Sequence, residues 1–565
     1  MTSTLAINIG VTGHRDIPEK DYAQLEAALS DELIRFKKHH PYSTINILSG
    51  LAEGADQLMV RVALKLNLPV IAVLPFAISE YEKDFASEAS LTEFRRLLSL
   101  CSEVKICVID THSPRAMGYT ELGRTLVSCS DIIIALWDGV IKQEDEQYLS
   151  KARPGGTADV VKMCVDGLID ESSLLFSKPN KTYCKWLLTN REQHSQLPST
   201  ISSTEELGTW KEVMLPGKQD EAFLNEILHK TERFNKEAQH LDEQDKKQSI
   251  AYMLGSIPDK LDLTLISKLV DAYSVADCLA QSKQKQRLLS LKAVTSLSFF
   301  AIAAQQVYVG LYATMEWFLI HMLLVGVVIL IYRLFFVGAD SREEQFVEWR
   351  VFAEDLRVQI YWHIAGLPDH SANNYRTTKL YEMDWIVDNL NKLMMSIPEP
   401  REANIELVRQ EWITDQRNYF YGQRGERGRA AQLLRKSISI RRWSLGCFAI
   451  AIFLMIFSVF EIQYNFLPAF DNNILFLVIA MAFITSALLK TYESQMGYDE
   501  LSQRYLRTGY FFNQAMNRMS LLDKEQPDNI EMYQKVIKRI GIEALNENAA
   551  WLQLHKMNAY QVQVS

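Results

Sequence analysis

Two pairs of apolar runs, Ala293–Tyr312 with Trp317–Val337 and Leu445–Ile462 with Ile474–Leu489, set the first limit on what this chain can fold into. A helix rises about 1.5 Å per residue, so roughly 20 apolar residues cross the hydrocarbon core of a bilayer. Each run is of that order. The first pair is separated only by Ala313-Thr314-Met315-Glu316, and the second by Gln463–Asn473, which carries Pro468, Asp471 and Asn472. The pattern predicts two membrane hairpins, four spanning helices in all, inside a chain that is otherwise polar.

The flanks orient them, because Lys and Arg close to a membrane end are retained on the cytoplasmic side. Lys283, Lys285, Arg287 and Lys292 precede the first hairpin, and Arg333 and Arg342 stand at and beyond its end. Arg435, Lys436, Arg441 and Arg442 precede the second, and Lys490 follows it. The two connecting loops contain no Lys or Arg, only Glu316, Glu461 and Asp471. Both loops are therefore expected outside, with both termini and the segment between the hairpins in the cytosol. Trp317, Trp443, Tyr464 and Tyr492 fall at predicted interfaces, where amphipathic rings are favoured.

The rest of the composition narrows the function. At 565 residues the chain exceeds a comfortable single domain, and its net charge of −9 argues against nucleic acid as a direct partner. Seven scattered cysteines without CxxC spacing read as reduced thiols and not as a metal site. Met1–Leu5 lacks a basic-then-apolar leader and runs into a strand, so targeting is expected from the internal helices.

From Leu5 to about Asp170, short apolar runs alternate with amphipathic stretches, the pattern of a parallel sheet covered by helices. Strands are expected at Ala6–Val11, Thr44–Leu48, Val70–Leu74, Lys105–Ile109 and Ile132–Leu136, with helices over Tyr22–His39 and Ala55–Leu66. In such a sheet the ligand lies beyond the carboxyl ends of the strands. The first strand leads into Gly10-Val11-Thr12-Gly13-His14-Arg15, with glycines for a tight turn and Thr12, His14 and Arg15 as donors to an anion. The second leads into Ser49-Gly50-Leu51-Ala52-Glu53-Gly54-Ala55-Asp56, a glycine-bracketed turn into a helix whose first amides favour phosphate. The third ends at Leu74-Pro75-Phe76 and the fifth at Trp137-Asp138-Gly139. A further loop, Arg153-Pro154-Gly155-Gly156-Thr157, opens a helix over Ala158–Gly167. Four or five such segments on one edge point to a phosphate-bearing ligand. Plainer roles stand beside this one: His14 and Arg15 as solvent-facing turn residues, Trp137 as an aromatic plug, Asp56 as a helix cap. The negative charge of Asp56 would repel phosphate, so contacts to hydroxyls or a base are expected of it. No GxxxxGK[ST] loop is present, which argues against P-loop NTPase chemistry.

The segments SGLAEGAD, LPF and WDG followed by PGGTADVV resemble the SLOG superfamily, Rossmann-like domains that include DprA-like proteins, LOG phosphoribohydrolases and sensor domains of bacterial anti-phage systems. The resemblance covers about the first 170 residues and implies nucleotide binding. LOG enzymes carry PGGxGTxxE with a catalytic Glu. Here Pro154-Gly155-Gly156-Thr157-Ala158-Asp159-Val160-Val161 lacks the two residues between GG and T, Val160 stands in the place of that Glu, and Asp159 comes one residue early. Sensing is therefore favoured over hydrolysis, with no catalytic residue and no cofactor besides the nucleotide ligand.

Between Glu171 and Asp271 the strand pattern fades into a polar run, Ser195–Leu207, and a charged stretch, Glu232–Lys247, read as loops and solvated helices. Tyr273–Lys292 reads as one amphipathic helix entering the membrane. After the first hairpin, Glu343–Ile364 is again helical, with Phe346, Trp349, Phe352, Leu356 and Ile360 on one face, for ordinary helix packing or an oligomer seam. After the second hairpin, Tyr498–Met519 is again helical. A basic helix, a hairpin and a cytosolic helix thus recur about 150 residues apart, the signature of a diverged duplication. WRVFAEDLRVQ beside the first hairpin resembles SLATT domains, membrane modules found with SLOG sensors in bacterial conflict systems, which implies a pore-forming effector.

The expected architecture is an α/β Rossmann-like domain (1–170), a polar helical linker (171–275), a first hairpin module (276–366), a cytosolic helical region (367–430), a second hairpin module (431–520) and a helical tail (521–565). The expected role is a membrane effector of the bacterial inner membrane, a homo-oligomer that senses a nucleotide second messenger and permeabilises the bilayer. The alternative is a membrane-tethered enzyme that cleaves a nucleotide or NAD-like substrate. Within the spans Gln305, Gln306 and His321 are the polar residues to explain, by a lined path or by bonding to a neighbouring helix.

Overall fold

The computed structural model describes residues 4–108, 114–139, 154–168, 182–192, 207–211, 221–255, 263–311, 315–336, 339–374, 383–400, 402–423, 427–464, 472–526 and 528–564. Arg153, most of the polar run Ser195–Leu207, and the loop residues Ala313, Thr314, Pro468 and Asp471 lie outside them. The chain forms two compact units, one comprising Met1–Ile250, Ile257–Val275 and Asp369–Glu399, the other Ala251–Ser256, Ala276–Pro368 and Pro400–Ser565.

The first unit, the head, is built on a seven-stranded sheet. Its elements are β1 (Ala6–Gly13), α1 (Tyr22–His39), β2 (Thr44–Ser49), α2 (Ala55–Lys65), β3 (Val70–Leu74), α3 (Ile78–Tyr81), α4 (Glu88–Leu100), β4 (Glu103–Ile106), α5 (Arg115–Cys129), β5 (Ile132–Trp137), α6 (Thr157–Asp166), β6 (Tyr183–Leu188), β7 (Trp210–Lys211), α7 (Glu221–Ala238) and most of α8 (Glu243–Leu254). The strand order is β4-β3-β2-β1-β5-β6-β7, parallel except for the β6–β7 pair. Order reverses between β1 and β5, the place where open sheets of this kind leave a crevice.

Period-2 alternation sends Ile7, Ile9 and Val11 of β1 into one core with Leu25, Leu29 and Leu33 of α1 and Leu58 and Val62 of α2. Ile133, Ala135 and Trp137 of β5 enter the other core, with Leu126, Val160 and Cys164. Two expectations change here. β1 continues through Gly13, so Gly10–Gly13 is strand, and the turn begins only at His14. The stretch after Glu171 also keeps the sheet going: β6 pairs with β5 along its whole length, and β7 with β6.

The second unit is helical. It contains α10 (Met315–Phe336), α11 (Ala339–Ile364), α13 (Ile405–Val408), α14 (Asp415–Tyr421), α15 (Arg429–Tyr464), α16 (Asn472–Met496), α17 (Tyr498–Glu525), α18 (Ile530–Val564) and most of α9 (Ser267–Leu311). The remaining helix, α12 (Asp384–Met395), belongs to the head, where Lys392 Nζ lies 3.0 Å from Asp131 Oδ1. α9 is one unbroken helix of 45 residues, so the expected amphipathic helix and the first apolar run are a single element. Among the described residues three helices are long and apolar enough to cross a membrane, within Leu263–Val309, Arg429–Glu461 and Asn473–Glu525. The apolar part of α10, Ile320–Ile331, is shorter. α11 differs from its one-faced expectation: from Gln345 to Ile364 every residue is buried except the half-buried Arg350, Glu354 and His363.

Candidate functional site

The carboxyl edge of the head sheet is assembled backbone to backbone. His14 N donates to Leu136 O (3.2 Å) and Ala55 N donates to His14 O (3.0 Å), which locks the loop after β1 between β5 and the start of α2. Only glycine fits at two of these positions. A Cβ at Gly13 would lie 2.3 Å from the Ala55 Cβ, and Gly54, at φ +76°, would place one 2.4 Å from His14 O.

His14 is buried, and its Nε2 stands 3.0 Å from the Asp138 amide and 3.1 Å from Asp138 Oδ1. It accepts from the amide as neutral imidazole or donates to the carboxylate when protonated, and either way it clips the end of β1 to the end of β5. The solvent-facing alternative therefore fails for His14. It holds for Arg15, which is exposed, with its guanidinium 5.8 Å from the Tyr119 ring centre.

The loop after β2 turns Asp56 inward. Its carboxylate accepts from the backbone at Ala52 and Gly50 and from the Ser49 side chain, while Ser49 Oγ accepts from Leu51 N (3.0 Å). Burial raises the Asp56 pKa to about 7, against the pull of those bonds and of Arg15. Asp56 is thus a buried acid within reach of the Arg15 charge and not a solvated cap. Leu51, fully buried at φ +55°, holds a backbone conformation uncommon for a side chain of its size. Glu53 accepts from Ser90 Oγ on α4.

Two tyrosines that sequence reasoning passed over join these loops to the rest of the edge. Tyr81 donates to Gly50 O (3.0 Å). Tyr119 sits between Arg15 and Phe76, with ring centres 5.5 Å apart in the latter pair, and its hydroxyl donates to Asp84. Arg115 bonds Glu80 and Asp84, each at 2.7 Å, and covers Phe76 at 4.3 Å, fixing the segment after the buried Pro75. Gly155, at φ +71°, lies so close that a Cβ would stand 2.3 Å from the Tyr119 Cβ. Neither tyrosine belongs to a motif; each is placed by tertiary packing alone.

At the amino end of α6, Gly155 N donates to Asp159 Oδ2 (2.8 Å), and Asp159 N and Val160 N both donate to Gly156 O. Thr157 opens the helix half-buried. Asp159 is thus spent on its own loop, and Val160 is buried in the core beside Gly123. Gly10, Thr12 and Trp137 belong to the sheet interior. A Cβ at Gly10 would meet Ile133 and Ser130, Thr12 is a buried strand residue, and Trp137 is 4% exposed with its ring 5.3 Å from that of Trp186. The aromatic-plug reading of Trp137 is the one its surroundings match.

The edge therefore presents the exposed Arg15 guanidinium, a buried carboxyl, a His–Asp clip and two glycine-lined turns. That set suits an anion with neighbouring hydroxyls. A depression in the helical unit, lined by Arg417, Asn418, Gly422 and Gln423, shares no residue with it. No protein-family model matches this sequence, and no curated protein matches it.

Proposed function

We propose that this chain is a ligand-gated membrane effector of bacterial anti-phage defence. The head binds a nucleotide-derived messenger at its sheet edge, and binding shifts a homo-oligomer towards a state that permeabilises the inner membrane. The observation that carries this reading is the meeting of His14, Arg15, Gly50, Gly54, Asp56 and Gly155 at one sheet edge of a chain with three helices long enough to span. In this reading α10 pairs with α9 as the fourth span, and the Lys and Arg flanks keep the head and both termini in the cytosol. A ligand gates such an equilibrium only through a difference in affinity between its two states.

One observation favours a second reading, a tethered enzyme acting on a nucleotide or NAD-like substrate: a buried carboxyl with a pKa of about 7 can exchange a proton at neutral pH. Against it stand the buried Val160 and the committed Asp159, which leave the LOG route without its acid. Mass spectrometry of small molecules retained by the purified chain separates the two. An intact nucleotide at one per head supports sensing; a cleaved nucleotide with steady turnover overturns it in favour of the enzyme.

A further inference from the structure

Just before the apolar run of α15, one helix carries two faces of opposite fate. On the inner face Ser437 Oγ donates to Glu493 (2.8 Å), Arg441 reaches Glu493 (3.2 Å) and Asp499, and Lys490 lies 3.0 Å from Glu493. One turn further on, Ser444 and Ser486 exchange hydrogen bonds through each other's carbonyls at 2.9 and 2.8 Å. That face is used up by packing against α16 and α17.

The outer face holds Arg435, Lys436, Arg442 and Trp443, all exposed, Trp443 at 70%. Arg435 and Arg442 are seven residues apart, as are Lys436 and Trp443, so at about 3.6 residues per turn the four lie on one stripe. Among the described residues none of the three cations has an ion-pair partner. The stripe continues along the helix into Ile450 and Phe453, which are 55% and 68% exposed. Cations, then an interfacial indole, then bare hydrocarbon follow one another along a single surface, the sequence of layers in a bilayer from headgroup to acyl chain.

We propose that this stripe binds the headgroups of anionic phospholipids, with Arg435, Lys436 and Arg442 contacting phosphate and Trp443 seated at the glycerol level. The proposal rests on α15 spanning the membrane. It goes beyond orientation: loose retention of positive charge on one side needs no ordered face, whereas here the helix sorts its cations, pairing Arg441 with Glu493 and Asp499 and leaving three outward without such pairs. Guanidinium groups suit phosphodiester oxygens by their paired donors.

The test reconstitutes the full chain into nanodiscs of equal phosphatidylcholine and phosphatidylglycerol, strips bulk lipid with mild detergent and weighs what is retained. Flotation with vesicles is scored separately. The unaltered chain is expected to float and to retain phosphatidylglycerol in roughly tenfold preference. Arg435→Gln/Lys436→Gln/Arg442→Gln is expected to float yet lose the preference, and Arg435→Lys/Arg442→Lys to keep most of it. Millimolar glycerol phosphate is expected to leave the preference unchanged. Flotation without preference, or a preference that survives the triple substitution, overturns this proposal alone. Abolition by glycerol phosphate assigns the stripe to soluble phosphates and overturns the lipid as its ligand. Failure of the unaltered chain to float overturns the membrane reading and the lipid site with it.

Discussion

Two acids, the buried Asp56 in the head and the half-buried Glu354 in the helical unit, meet opposite fates. For Asp56 burial prevails over one cation and several hydrogen bonds, and its pKa climbs to about 7. For Glu354 burial also pushes upward, but Arg350 and Arg357 outweigh it and hold the group below its usual value. Glu354 belongs to a closed chain of charges, with Arg357 at 2.9 Å and Arg350 bridging to Asp277 at 3.2 Å. Around Glu354 the charges are settled internally. The head leaves a carboxyl under-compensated beside an exposed arginine, and that is the state in which an incoming ligand has something to change.

The sharpest break of this comparison is by pH. A raised folded pKa means that Asp56 binds its proton more readily in the folded head. Its contribution to stability is fully present below the unfolded value near 3.8 and is lost as pH rises through about 7. Glu354 runs the other way, contributing above its unfolded value of 4.5 and losing that contribution as pH falls. Denaturation followed separately in each unit should show the head weakening by a few kcal/mol between about pH 4 and pH 8 while the helical unit weakens in acid. Asp56→Asn should flatten the first slope and leave the second; a slope unchanged by Asp56→Asn would contradict the assignment.

Arg350→Met comes next, with an expected loss of about 3 kcal/mol, because Asp277, 3% exposed, loses this cation and keeps hydrogen bonds such as that from Gln281 (2.8 Å). Asp277→Leu/Arg350→Met should restore most of it, measured as the unfolding midpoint in detergent. Asp159→Ala, which frees Gly155 N, should cost about 1 kcal/mol in the head. If Asp159 serves only its own loop, any nucleotide turnover should be unaffected. The smallest effect is expected at Gln305, whose side chain meets His321 of α10 beside the Tyr308–His321 ring stack. Gln305→Leu should loosen this pair by about 0.6 kcal/mol. A large change in ion flux instead would place that amide on a conducting path.

How far these features could be read from the sequence follows from how local their causes are. Val70–Leu74 and Tyr22–His39 have the same bounds in sequence and structure, since one is an unbroken apolar run and the other repeats leucine at helical spacing. β6, Tyr-Cys-Lys-Trp-Leu-Leu, was missed because Lys185 interrupts its apolar character; the structure pairs that lysine with the buried Glu32. The glycine turns were legible because backbone geometry demands glycine there. Tyr81, Tyr119 and Arg115 were not, since each reaches the edge from an element with no motif of its own. The inward turn of Asp56 and the burial of Trp137 likewise depend on neighbours distant in sequence. The number of spans was read from apolar run length alone, and in α10 the apolar stretch Ile320–Ile331 falls short of the other three helices.

The central claim is that the head edge governs the membrane helices. Its most direct test is ion flux across sealed liposomes that contain the full chain, exposed on the head side to the small-molecule fraction of phage-infected cells. The account predicts flux with the unaltered chain and its loss in Arg15→Ala and in Gly54→Val, which removes the φ +76° turn against His14, while both variants stay inserted. Liposomes that remain sealed while the head demonstrably retains a nucleotide would contradict it.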